Sequence, residues 1–386
     1  MSTIKANTYL DASGGNTATI NGAVPASLSS PALTGTPTAP TATVGTDTTQ
    51  IATTAFVLAN KGAVYYSQDA EPSSPPNGSI WFQPTFGSTY LRINSSWISI
   101  YGQFNYSSNF GVFGGSGNTI DYINIGLIAN AMSFGNLTVS RSALAGVSNG
   151  VRGVFGGGYT STNSAVMDYI TVATTGNATN FGNLTVAREA LAGVSNATRG
   201  VFGGGSTGSV SAVMDYITVA TTGNATNFGN LTVARRYLAG LSNATRGVFG
   251  GGLNSSSLSV VTIDYITVAT AGNATNFGNL TAIRYGLAGI SNATRGVFGG
   301  GISTSSNTIM DYFTIATAGN AQTFGNLTQS TFLAAGVSNA TRGVFASDAT
   351  INMEYITVAT TGNATSFGNL TVARNSLAGV SATIPT

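Results

Sequence analysis

The sequence predicts an all-β chain whose main body is a six-bladed β-propeller. Three observations carry this. A unit of about 47 residues recurs six times between Gly111 and the C-terminus. Each unit holds four short strand-like runs separated by Gly- and Asn-rich turns. No competing helical periodicity runs through them. Four strands per unit and six units give the arithmetic of a propeller.

The unit near Arg188 shows the elements in order. It reads REALAGVSNATRGVFGGG, then VMDYITVATTGNATNFGNLTVAR. The strand runs are LAGVS, RGVFG, DYITVAT and NFGNLTVA. The GVF triplet begins at Gly111, Gly153, Gly200, Gly247, Gly296 and Gly343, and the FGNLT block at Phe134, Phe181, Phe228, Phe277, Phe324 and Phe367. β-branched residues fill the third and fourth runs. The first run is rich in small residues such as Ala192 and Gly193, which suits an innermost strand; Tyr169, Ile170 and Phe181 suit outer positions. The first copy lacks LAGVS and the last stops after it. The strand at 377–381 is therefore expected to pair with the one near Gly111, leaving no open edge at the seam.

The wording of the unit resembles a kelch repeat. Gly156 and Gly157 match that family's double glycine, and Tyr169 matches its aromatic. Phe181 stands where Trp is usual, which makes the sequence kelch-like. The resemblance covers about 280 residues and implies a propeller whose partner sits on the face of the 2–3 and 4–1 connections.

Three domains are expected. Residues 1–62 are expected to be an N-terminal region, assigned below by resemblance to tail attachment and oligomerisation, 63–105 a small β connector module, and 106–386 the propeller. The first region is rich in Thr, Ala, Ser and Pro. Its Pro-rich part should be extended, and 49–60 should form a short helix with Ile51, Ala55, Phe56 and Leu58 on one apolar face. The segment SSPALTGTPTAPTATVGTDTTQIATTAFVLANKG at 29–62 strongly resembles bacteriophage tail-fibre proteins. In the connector, SIWFQ, STYLRI and WISIY read as strands around Trp81 and Trp97.

Composition narrows the chemistry. The chain has 386 residues, of which 7% are charged and 42% apolar, with no Cys and no His. Disulfides, thiolate or imidazole metal sites and His-based triads are excluded. Net charge is +2, so a basic nucleic-acid surface is not expected. No apolar export segment lies near Met1 and no run of 18 apolar residues occurs, so membrane insertion is not expected. No cofactor is expected.

Comparing the six copies with one another locates a candidate site. The spacing from the Asp of DYIT to the Phe of FGNLT is 13 in every copy, and from that Phe to the next GVF it is 19. All length variation lies between GVF and DYIT. The residue pair after VAR also varies. Both connections belong to one face of a propeller, and the uniform SNATR and TTGNAT turns to the other. The variable face is the expected binding face. Its candidate receptor-binding residues are Tyr159, Glu189, Arg236, Tyr237, Leu253, Asn254, Tyr285, Phe332 and Asn375. If any of these packs between blades instead, Phe332 is the one expected to, because its copy reads as shifted by one residue.

Acidic residues recur at Asp121, Asp168, Asp215, Asp264, Asp311 and Glu354. Arginines recur at Arg141, Arg188, Arg235, Arg284 and Arg374, with Thr331 breaking the series. A ring of structural ion pairs is expected from Asp168, Asp215, Asp264, Asp311, Arg188, Arg235 and Arg284, with Arg188 paired to Asp168. Catalysis needs two carboxylates in unlike environments, which a symmetric ring does not provide. No enzyme is therefore expected. The expected role is a structural component of a tailed-phage virion, a homotrimeric tail fibre. Its N-terminal region would meet tail or baseplate proteins. Its propeller would meet a bacterial surface receptor, either polysaccharide or outer-membrane protein. The alternatives are a spacer or docking module that binds another tail protein, and a polysaccharide-degrading propeller.

Overall fold

The structure is a computed structural model that describes residues 64–83, 88–93, 95–99, 109–305, 307–347 and 349–382. The expected attachment region at 1–62, with its helix at 49–60, lies outside the described residues. Two compact units divide the chain, Met1–Phe104 and Asn105–Thr386. All described secondary structure longer than a single residue is β.

In the first unit four strands lie in sequence order: Tyr65–Ser67, Ile80–Gln83, Ser88–Ile93 and Ser96–Ser99. The last three follow the expected runs and pair antiparallel. The first pairs parallel to the second and was not expected. Three residues are too few to show a period-two pattern. Trp81 is buried and stacks on Tyr90 at 4.9 Å between ring centroids. Its indole N–H donates to the Gln68 carbonyl at 2.8 Å, which satisfies its only polar atom. Trp97 is half-buried against it, 5.4 Å away.

The second unit contains six four-stranded antiparallel sheets. Sheet I is Ala378–Ser381, Phe110–Gly114, Gly117–Asn124 and Met132–Arg141. Sheet II is Ala145–Ser148, Arg152–Gly156, Val166–Thr171 and Thr179–Asn183. Sheet III runs from Ala192 to Asn230, sheet IV from Ala239 to Asn279, sheet V from Ala288 to Thr331 and sheet VI from Ala335 to Arg374, each with its strands in sequence order. In sheet I the C-terminal strand pairs with the first one of the unit, Ala378 with Gly114 and Ser381 with Gly111.

Packing between sheets is what the repeat encodes. Six apolar clusters each draw on two neighbouring sheets, in the cyclic order I–II, II–III, III–IV, IV–V, V–VI and VI–I. The Phe of each GVF triplet is fully buried. In five of the six it lies against the glycine after GVF of the preceding sheet, sheet VI having Ala346 there; a Cβ on Gly156 would come 2.8 Å from Phe202. That close approach explains RGVFG better than strand propensity does.

The first strands crowd one another. A Cβ on Gly146, Gly193, Gly240, Gly289, Gly336 or Gly379 would stand 2.2–2.4 Å from the carbonyl oxygen of the corresponding glycine of the preceding first strand. The serines two residues on close a second cycle. Main-chain N–H groups or hydroxyls link Ser148 to Ser195, Ser195 to Ser242, Ser242 to Ser291, Ser291 to Ser338, Ser338 to Ser381, and Ser381 back to Ser148. This cyclic arrangement is compatible with a propeller.

Candidate functional site

The candidate site is the face where the 4–1 and 2–3 connections meet. They meet physically: isolated bridges join Ser142 to Tyr159, Glu189 to Ser206, Arg236 to Leu253 and Tyr285 to Ile302. In sheets II to V the two variable connections therefore lie side by side, as strand direction requires.

The second residue of each variable pair has an unusual backbone. Ala143, Ala190, Tyr237, Gly286, Leu333 and Ser376 all have φ between 53° and 69°. This left-handed conformation is costly for non-glycine residues. It turns each N–H toward the preceding copy. Ala143 donates to Ser376, Ala190 to Ala143, Tyr237 to Ala190, Gly286 to Tyr237 and Leu333 to Gly286, at 2.8–3.0 Å. The Thr331–Ala334 stretch keeps the common register, with Leu333 in the left-handed position. The expected one-residue shift of that copy is not present. These six residues, with Leu144, Leu191, Leu238, Leu287, Ala334 and Leu377, line one opening at the centre of the six sheets.

Around part of that opening runs an arc of aromatic rings. Tyr237 and Tyr285 have centroids 6.2 Å apart, and Phe332 meets Tyr285 edge-on at 5.4 Å. Arg236 lies over Tyr237, 5.5 Å from its centroid. All four are half-buried. Burial and the neighbouring Glu189 raise the pKa of the Tyr237 hydroxyl above its ordinary value of 10.0, against the opposing pull of Arg236. Among the described residues no carboxylate lies within 4.0 Å of the Arg236 guanidinium.

The other predicted site residues separate. Tyr159 is exposed at 41%, and Asn375 is exposed with its side-chain oxygen accepting from the Ser116 hydroxyl at 3.0 Å. Glu189 is half-buried beside Tyr237. Leu253 is only 8% exposed, so it is a packing residue and not a contact residue. Asn254 turns its side-chain oxygen onto the N–H groups of Ser256 and Leu258 and shapes its own loop. The sequence reading missed the ring of leucines at the opening. Their constancy next to a variable pair is the signal that could have found them.

The expected ion pairs exist, with different partners. Arg188 pairs with Asp215, not Asp168; Asp168 pairs with Arg141. The other pairs are Arg235–Asp264, Arg284–Asp311 and Arg374–Asp121, all at 2.5–2.7 Å and essentially without solvent exposure. Each arginine belongs to one sheet and each aspartate to the next. Arg188 also donates to the carbonyls of Gly204 and Val213, and Asp215 accepts from the Thr185 hydroxyl at 2.5 Å. Burial lowers the arginine pKa values, and the paired aspartates oppose that shift. These carboxylates are sheet-to-sheet bolts, fully engaged.

The uniform turns are bolts as well. The side-chain oxygens of Asn130, Asn177, Asn224, Asn273, Asn320 and Asn363 in the 3–4 turns accept, at 3.0 Å, a main-chain N–H from the preceding sheet. In SNATR the arginines Arg152, Arg199, Arg246, Arg295 and Arg342 stack on Tyr169, Tyr216, Tyr265, Tyr312 and Tyr355 at 4.1–4.5 Å. They also donate to carbonyls of the following sheet. The constancy of this face thus has a packing cause. The case for the opposite face rests on its half-exposed aromatics and free cation, more than on variability. No protein-family model matches the chain.

Proposed function

We propose that the six sheets are the blades of a closed, kelch-like β-propeller, and that the face around its left-handed ring binds a bacterial surface receptor. The single observation that carries this is the arc Arg236–Tyr237–Tyr285–Phe332. Half-exposed rings offer stacking area with little rotamer entropy to lose, and an unpaired guanidinium offers a charged hydrogen-bond donor. That combination suits a carbohydrate carrying acidic groups. The described aspartates of this unit are each committed to an arginine, which favours reversible binding over hydrolysis. The resemblance of 29–62 to tail-fibre proteins supports a place in a phage tail. There the N-terminal region would attach to tail proteins and hold three chains together. Sedimentation of the full-length protein tests that assembly, and a monomer at micromolar concentration would sink it.

The binding reading is tested with full-length protein on an array of bacterial surface polysaccharides and in competition with virion adsorption. The double change Arg236→Ala with Tyr237→Ala should weaken binding about tenfold or more, about 1.4 kcal/mol. Thr175→Ala with Thr222→Ala on the uniform turns should change little, because both side chains are exposed there. If the uniform-face pair abolishes binding and the arc pair does nothing, the face is assigned wrongly and a spacer role is favoured.

A further inference from the structure

Among the described residues, five junctions between neighbouring sheets carry a buried ion pair, and the junction of sheets V and VI does not. There Thr331 stands where the other copies have arginine, and Glu354 stands where they have aspartate. Both are buried, at 3% and 2% exposure. A threonine hydroxyl can offer a hydrogen bond but no charge. One Glu354 oxygen, Oε2, accepts the Thr328 N–H at 2.6 Å, as the aspartates accept from their own threonines. The other, Oε1, is buried and has no hydrogen-bond partner.

One main-chain hydrogen bond of the pattern is kept, although the left-handed glycine of the other sheets, such as Gly204 with φ 70°, is replaced by Ser347, which is not left-handed. At junction II–III the guanidinium bridges the carbonyls of Gly204 and Val213, and the Gly204 N–H donates to Val213 at 3.0 Å. In sheet VI the matching residues are Ser347 and Asn352, and the Ser347 N–H donates to Asn352 at 3.0 Å. The Glu354 carboxylate and the Asn352 carbonyl thus stand where a carboxylate and a carbonyl receive a guanidinium elsewhere, while Thr331 supplies none. A buried carboxylate with no cation is strongly unfavourable. Among the described residues Glu354 is the one carboxylate at this junction, and it balances a single positive charge; a divalent metal wants more anionic oxygens.

We propose that the junction of sheets V and VI binds a small monovalent cation, held by Glu354 and the carbonyl of Asn352, in place of the missing arginine.

The test uses full-length protein at fixed pH and ionic strength. Guanidinium and potassium ions are added at low millimolar concentration, with tetramethylammonium as a control too bulky for the site. Guanidinium or potassium should raise the melting temperature saturably by about 3 °C, and the control should not. Thr331→Arg, which supplies a tethered guanidinium, should raise the starting melting temperature and abolish the response. Glu354→Gln should abolish it too. Isothermal titration of the unaltered protein reads the same binding directly if either variant fails to fold. No saturable response beyond the control in the unaltered protein would overturn the proposal. A response that survives in Glu354→Gln would also overturn it, because the cation would then bind elsewhere.

Discussion

Replacing Arg188 by Ala should show how much one buried bolt contributes. Arg188 makes one contact of 2.7 Å to Asp215 and three to main-chain carbonyls, and neither charged side chain touches solvent. Removing it strands Asp215 in the gap between sheets II and III. Breaking one side of such a buried pair costs about 3–5 kcal/mol. For a unit of this size that is a fall of roughly 6–20 °C in melting temperature. Calorimetry of the full-length protein measures it. Thr331→Ala, at the junction that holds no arginine, should cost far less. A loss below about 1 kcal/mol for Arg188→Ala would match an exposed pair and refute the buried-bolt reasoning. Equal losses at Arg188 and Thr331 would refute it as well.

Two further outcomes follow from the same geometry. Gly193→Ala should destabilise by about 1–3 kcal/mol or more, because its Cβ would press on the Gly146 carbonyl, whereas Gly176→Ala meets nothing within 4 Å and should be near neutral in the same melts. The Tyr237 hydroxyl should ionise above 10.0, and Tyr237→Phe should remove the latest part of the ultraviolet phenolate titration. Since the folded value is the raised one, the stability linked to it is fully present below pH 10.0 and is lost as pH climbs through the folded value. A variant with an unaltered late titration would place the raised group elsewhere.

Much of the fold was legible because it is repeated. β-branched runs between Gly- and Asn-rich turns, constant spacings and complementary ends pointed to four strands per unit and to the pairing of 378–381 with 110–114. The variable connections could be placed on one face because strand direction alternates, and the bridge from Arg236 to Leu253 joins them there. Exposure within those connections was not legible. Leu253 and Tyr159 look alike as large residues in variable loops, yet one is packed away and the other is open.

The sequence by itself determined the number of units, their strand content and the residue types at each recurring place, because those depend on local pattern and on counting. Which copy's side chain meets which was decided by tertiary structure. Arg188 precedes a first strand and follows Asp168 by a short stretch, so chain distance favours that pair. Its partner is Asp215, because the end of each fourth strand overhangs the next sheet and only there can a guanidinium leave water and still find a carboxylate. The same stagger sets Thr331 opposite Glu354. Two irregularities that are unrelated along the chain become one junction without an arginine, because charge balance is a property of what is adjacent in space.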